Sequence, residues 1–180
     1  SNKAKNANLQ RYAEAFSFLQ SKNLYTVDDL ENTLHSMQDK IDALKKSASA
    51  KQARIKEVDA LLRMVDYYKS GKPAADKLKS IRFEKSRQKY KSEHDDELRT
   101  FYMAERKLKP YFKDGKLPIT AWRRECEQLE QDCKDIQAEL SLLHADAKKL
   151  WAIHYNIYEV QHEQERQNTA TRQKKQEIER

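Results

Sequence analysis

Seven basic residues crowd into the stretch KLKSIRFEKSRQKYK, residues 77–91, which contains a single acid, Glu84. They are Lys77, Lys79, Arg82, Lys85, Arg87, Lys89 and Lys91, together called the basic stretch below. Clustered cations attract phosphates whatever the base sequence, so the basic stretch could contact the backbone of DNA. It also fits a solvated helix face, because lysine stems cover apolar surface while their ammonium groups stay in water. The residues alone leave both interpretations open.

Two aromatic side chains, Phe83 and Tyr90, lie inside the basic stretch. An exposed aromatic ring beside cations can stack on a nucleic-acid base. Aromatic residues at helical spacing are more often part of a core, so this role is the weaker expectation for both of them.

The other reactive side chains do not form a motif. The sequence contains no phosphate-binding glycine loop, CxxC pair, HExxH or GxSxG. Its five histidines are His35, His94, His144, His154 and His162. His94 and His154 fall on apolar helix faces, where we expect hydrogen-bonded, at least half-buried side chains rather than metal ligands. We therefore expect a protein that is not an enzyme, with no catalytic residue, metal, cofactor or small-molecule substrate.

Composition indicates the fold class and the compartment. The chain of 180 residues carries a net charge of +7, and 36% of it is charged, but it contains only 2 Gly and 3 Pro. So few turn-forming residues favour an all-α fold over sheets. Cys126 and Cys133 lie roughly 10 Å apart if they share a helix, too far to form a disulfide with each other. They suit a reducing, cytoplasmic setting, and no apolar run suggests contact with a membrane.

Two long apolar seams alternate steps of three and four without a slip, which is the heptad pattern of a coiled coil. The first seam consists of Val27, Leu30, Leu34, Met37, Ile41, Leu44, Ala48, Lys51, Ile55, Val58, Leu62 and Val65. The second consists of Ile119, Trp122, Cys126, Leu129, Cys133, Ile136, Leu140, Leu143, Ala147, Leu150, His154 and Ile157. Neither helix would be stable alone, so we expect the two seams to pair.

The predicted architecture is a long antiparallel coiled-coil hairpin with a small helical cap at its tip and an extra N-terminal helix at its base. It forms a single elongated domain over residues 5–165: base helix 5–22, first coiled-coil helix 26–70, cap 73–114 and returning helix 118–165. Gly71 and Pro73 end the first long helix. Residues 166–180 are expected to be a frayed or disordered tail. The pattern does not decide whether the seams pair within one chain or between two copies.

The order of these elements resembles a known family. The segments that carry the likeness are NLQRYAEAFSFLQSKNLYTVDDLE, VDYYKSGK, KYKSEHDDELRTFYMAERKL and GKLPITAWRRECEQLEQDCKDIQAEL. They resemble the region C-terminal to the catalytic domain in relaxases, the mobilisation nucleases of plasmids and conjugative transposons from Gram-positive bacteria. The likeness spans about residues 5–160. The positions that fit the family are Leu9, Ala13, Leu19, Leu30, His94, Leu98, Ala104, Leu117, Pro118, Glu125 and Leu129.

The resemblance implies a non-catalytic accessory region of a DNA-processing enzyme, since the family's nucleophilic tyrosine and metal-binding histidines match no position here. It favours DNA as the partner of the basic stretch. The alternative is a stiff spacer or interaction module that contacts a protein of the transfer machinery or a second copy of itself. Tyr155 and Tyr158, apolar residues near the base, are the first candidates for such a contact.

Overall fold

A computed structural model describes residues 2–178 and confirms the all-α fold class. Within these residues there is no β-strand, only an isolated bridge between Lys113 and Lys116. The helices are α1 (Asn2–Ser21), α2 (Val27–Ser80), α3 (Glu84–Glu93), α4 (Asp95–Leu108), a 3-10 turn (Lys109–Tyr111) and α5 (Ile119–Ile178).

The chain's contacts fall into two compact units, where the sequence predicts a single domain. The first unit comprises residues 1–45 and 137–180, and the second comprises residues 46–136. The boundary on α2 falls at the segment KKSASAKQA, residues 45–53. Its small and polar side chains have little apolar surface to bury, which explains why the contacts thin out there.

Both predicted seams are confirmed by burial, because every seam position except Val27 is buried or half-buried. Within each unit, α2 and α5 of the same chain pack side by side and run in opposite directions. Polar pairs between the two helices show that they are antiparallel. They are Glu31–His154 at 2.9 Å and Lys40–Glu139 at 2.7 Å in the first unit, and Lys51–Asp132 and Arg54–Glu125, each at 2.6 Å, in the second.

In the first unit, α1 packs on the paired α2 and α5. Its Phe18 and Leu19 lie against a core of Leu24, Leu30, Leu34 and Leu150. Asn23, at φ 56°, ends α1, and the amide of Leu24 donates to the Leu19 carbonyl at 3.0 Å. Thr26 caps the N-terminus of α2: its Oγ1 accepts from the Asp29 amide at 3.1 Å, and Asp29 Oδ2 accepts from the Thr26 amide at 3.2 Å.

In the second unit, α2 does not end at residue 70, so that predicted boundary is wrong. The helix continues through Gly71 and Pro73 to Ser80. A Cβ added at Gly71 would lie 2.7 Å from Phe101 Cβ, so this glycine allows the close approach of α4 rather than a chain reversal. Beyond Pro73, Ala74 and Ala75 are buried against α4, which offsets the cost of proline inside a helix.

The segment predicted as one cap forms α3, α4 and the 3-10 turn. Leu98 and Phe101 of α4 pack on Ala74 and Ala75 of α2. Leu108, at the end of α4, joins a second cluster with Val58, Val65, Trp122 and Cys126. Helix α4 ends at Leu108, where the backbone tightens into the 3-10 turn that contains Pro110. Asp114 and Gly115, both at positive φ, form the tight turn that leads towards α5.

The C-terminal segment, predicted to be a frayed or disordered tail, is part of a helix. Helix α5 continues to Ile178, and residues 166–178 are helical and exposed. Successive backbone hydrogen bonds and local pairs such as Arg166–Glu163 stabilise this segment, since a helix needs no tertiary partner to continue once nucleated. Residues 179 and 180 of the predicted tail lie outside the described residues.

Candidate nucleic-acid interface

The basic stretch spans the end of α2, a short connection and α3. Lys77 and Lys79 lie in the last turn of α2, and Arg82 lies in the connection. Helix α3 carries the other four cations: Lys85, Arg87, Lys89 and Lys91. It has no buried residue, and of the seven cations only Arg87 is even half-buried. The basic stretch is therefore a surface of the second unit.

Arg87 holds the turn between α2 and α3 together. Its Nη2 donates to the Ile81 carbonyl at 2.8 Å, and its Nη1 lies 3.6 Å from a carboxylate oxygen of Glu84. The guanidinium thereby satisfies a carbonyl that α2 leaves free at its C-terminus. Of the seven predicted phosphate contacts, Arg87 is the one that the local fold already uses.

The ring of Tyr90 is also engaged in contacts within the fold. Its ring packs against His94 with centroids 4.2 Å apart, and the Lys77 ammonium lies 5.2 Å from the Tyr90 centroid. Tyr90 is half-buried, as expected for an aromatic residue that closes a small cluster. The other predicted candidate, Phe83, is 78% exposed.

Most of the remaining cations are free to meet an anion. Lys89 lies 3.9 Å from Glu93 on α3, an exposed pair of little energetic value. Lys79, Arg82, Lys85 and Lys91 have no acidic partner among residues 2–178. An exposed cation without a partner contributes little to folding, so these four side chains can bind phosphate without breaking a contact of the fold.

A further group of cations, which the sequence reasoning missed, lies in the same unit. Residues 106–124 contain seven basic residues and one acid, Asp114. These are Arg106, Lys107, Lys109, Lys113, Lys116, Arg123 and Arg124, called the second basic group below. All seven are exposed, and none has an acidic partner in the part of the chain that the structure describes. The signal for it is present in the sequence, because a count of charge in a sliding window along the whole chain finds it.

The two units therefore differ in charge. Residues 46–136 contain 23 basic and 16 acidic residues, a net charge of +7, and the rest of the chain contains 13 of each sign. The whole excess of positive charge belongs to the second unit. The net electrostatic attraction for a nucleic acid is therefore expected at the second unit.

An acidic run interrupts this surface at the start of α4. Asp95 and Asp96 lie in the first turn, where the helix dipole stabilises them, and Arg99 pairs with both. His94 accompanies them with its Nδ1 3.2 Å from Glu97. The acidic run therefore opens a helix, since α4 starts at Asp95.

The groups with perturbed pKa values are structural. Hydrogen bonds from Arg54 hold the pKa of Glu125 below its ordinary value, and those from Lys51 lower the pKa of Asp132. Burial raises the pKa of the Cys126 thiol, which keeps it protonated and a poor nucleophile at neutral pH.

The partial burial and the polar partners expected for the two histidines on apolar faces are confirmed. His94 and His154 are half-buried and lie beside carboxylates, Glu97 and Glu31. Across residues 2–178, no three His, Cys, Asp or Glu side chains are grouped so that they could hold a metal ion. None of the described helices combines the length and the apolar character needed to cross a membrane.

Comparison with known proteins gives no assignment: no family model, curated protein or solved structure matches the chain. The likeness to relaxases stays a prediction from the sequence.

Proposed function

We propose that this chain is a non-catalytic, cytoplasmic accessory domain of a DNA-mobilisation relaxase, and that its second unit binds DNA phosphates through the basic stretch. The sequence resemblance supports the class of protein. The charge distribution supports the mode of binding, since phosphate recognition needs exposed, mobile cations and no fixed pocket.

The observation that carries the proposal is a set of four unpartnered, exposed cations at the end of α2, in the connection that follows and on α3: Lys79, Arg82, Lys85 and Lys91. Helix α3 buries none of its residues, so covering apolar surface with lysine stems does not explain why cations are concentrated on it. The second basic group adds to the same field, because it belongs to the same unit.

A titration of DNA at two salt concentrations tests the proposal. The variant Arg82→Glu/Lys85→Glu/Lys91→Glu removes three unpartnered cations and spares Arg87, which holds the turn. We expect it to lose most of the binding at low salt. The slope of log affinity against log salt should fall by about two to three, because each lost phosphate contact contributes about 0.7–0.9.

A matched control separates local contact from net charge. Arg172→Glu/Lys174→Glu/Lys175→Glu makes the same charge change on the exposed end of α5 in the first unit. This control should bind DNA nearly as well as the wild type. Equal losses in the two triple variants, or no binding by the wild type at low salt, would contradict the proposal.

One observation favours the alternative of an interaction or spacer module. The first unit exposes large apolar side chains on α1 and α5, among them Leu9, Tyr12 and Phe16, each 66% exposed, and Tyr155 and Tyr158. Tyr12, Phe16 and Val160 line a groove of about 310 Å³ between the two helices. Apolar surface of this kind is typical of a contact site for a protein of the transfer machinery or for a second copy.

Light scattering tests the self-association form of this alternative. A dimer that Tyr12→Glu/Phe16→Glu converts to a monomer, together with no binding of DNA, would support it. A monomer at every concentration, with salt-dependent DNA binding, would favour the phosphate-binding proposal instead.

A further inference from the structure

Phe83 breaks two local rules at once. It is the most exposed large hydrophobic residue described in the second unit, at 78%, although a phenylalanine ring normally leaves water. It also occupies the N-cap of α3, where Ser, Thr, Asp and Asn are preferred, and no side chain there caps the helix. Conflicts of this kind between local preference and structure are expected at functional sites.

The surroundings of Phe83 are cationic. Arg82 precedes it, Lys85 follows in the first turn of α3, and Lys79 lies in the last turn of α2. None of these three has an acidic partner among the described residues. Tyr90, the other aromatic residue of the stretch, is already packed against His94. Phe83 is therefore the aromatic ring of the basic stretch that is free to meet a ligand.

We propose that Phe83 stacks on an unpaired base of a DNA strand whose phosphates are held by Lys79, Arg82 and Lys85. This inference rests on the proposed function and adds to it a preference for single-stranded over duplex DNA. A flat ring that projects from a turn suits a base that is not stacked inside a duplex. Phenylalanine has no hydrogen-bonding group with which to read a base edge in a groove.

An anionic membrane is the other surface that cations and one exposed aromatic ring could meet. Membrane-surface helices bury a continuous apolar face. Phe83 stands almost alone: Ile81 beside it is half-buried, and α3 has a polar sequence, EKSRQKYKSE. The observations therefore favour a base, because one ring is enough for stacking.

The experiment compares three forms of one DNA sequence of about 20 nucleotides: the single strand, the duplex, and a strand with abasic sites along its centre. We expect wild-type protein to bind the single strand most tightly. Phe83→Ala should weaken that binding by roughly five- to 150-fold and leave binding to the abasic strand unchanged. The alanine variant should keep its helix content, because Phe83 is exposed and provides no side-chain cap.

Two further variants sharpen the result. Tyr25→Ala removes a ring of similar exposure, 71%, from the first unit and should not change DNA affinity. Phe83→Trp places a fluorescent ring at the site. Its emission, measured against the wild-type background of Trp122 and Trp151, should be quenched by the normal strand and not by the abasic one.

The experiment distinguishes failure of the stacking inference from failure of the proposed DNA-binding function. DNA binding by the wild type with an equal effect of Phe83→Ala on normal and abasic strands, or with no effect at all, overturns the stacking inference and leaves phosphate binding intact. No DNA binding by the wild type overturns both proposals. Binding of the wild type to phosphatidylserine vesicles that depends on Phe83, without preference for the single strand, assigns the residue to a membrane and also overturns the inference.

Discussion

Replacing Gly71 with alanine tests how the second unit is assembled, because helix propensity predicts a gain in stability and core packing predicts a loss. Gly71 lies inside α2, where alanine is more favourable than glycine by about 1 kcal/mol. In the structure an added Cβ would lie 2.7 Å from Phe101 Cβ and 3.2 Å from the Glu97 carbonyl oxygen. The contacted atom, Phe101 Cβ, is bonded directly to the backbone, so it cannot move aside as the end of a flexible side chain could.

Helix α4 would have to retreat by at least 0.7 Å, from 2.7 to 3.4 Å, to bring that Cβ into ordinary contact. Such a shift disturbs the packing of Phe101 and Leu98 on Ala74 and Ala75. Overpacking a core costs about 1–3 kcal/mol, against a gain in helix propensity of about 1 kcal/mol. We therefore expect Gly71→Ala to lower the free energy of unfolding by up to about 2 kcal/mol.

Urea unfolding followed by circular dichroism measures this change, and the fluorescence of buried Trp122 reports on the second unit. Ser70→Ala is the matched control, since Ser70 is the exposed neighbour of Gly71 in the same helix. It should be neutral or stabilising by a few tenths of a kcal/mol. A Gly71→Ala protein as stable as the wild type, or more stable, would refute the packing role assigned to this glycine.

Two further substitutions test the pairing of α2 with α5. Leu150 is 0% exposed in the core of the first unit, so Leu150→Ala should lower the free energy of unfolding in urea by about 2–5 kcal/mol. Leu142, 71% exposed on the same helix, is the control, and Leu142→Ala should lower it by less than about 0.5 kcal/mol. Similar losses of stability in the two variants would contradict the assigned seam. Arg54→Met should cost at most about 1 kcal/mol at pH 7, since its pair with Glu125 is partly solvated. The lowered pKa of Glu125 makes this contribution complete above the ordinary glutamate pKa of about 4.3 and lost as pH falls through the lower folded value. The stability difference between the two proteins should therefore shrink as the pH falls below about 4.3, and a difference that does not change with pH there would contradict an electrostatic origin.

The coiled-coil helices were predictable because their signal is periodic and long. Steps of three and four place one side of a helix in contact with its partner whatever the neighbouring sequence. Even the polar members of the seams obey this rule. Lys51 and His154 remain at the interface because Asp132 and Glu31 on the facing helix pair with them.

The end of α2 was not predictable from local sequence. Gly71 and Pro73 are the usual signs of a helix end, and the sequence predicts one there. Whether a helix stops depends on what the following turn can bury. Here Ala74 and Ala75 pack on α4, some 25 residues further along the chain.

The candidate site shows the same division. The concentration of cations at residues 77–91 can be counted in the sequence. Which of these cations are available to a ligand cannot be read from the sequence, because Arg87 binds the Ile81 carbonyl and Lys77 lies over the ring of Tyr90. The sequence also treats Phe83 and Tyr90 alike, whereas the structure leaves one ring in water and packs the other.

By itself, the sequence determined the all-α class, the two seams and the sign of the charge, since each of these is a sum or a period over many residues and tolerates local exceptions. Only the tertiary structure decided that α2 runs on to Ser80, that Arg87 belongs to a turn and that Phe83 is free. The length of α2 depends on its packing with α4, and the availability of Arg87 and Phe83 depends on which contacts the folded chain makes around them. Local propensity does not encode such contacts, because their free energy arises only when the contacting groups meet in the folded chain.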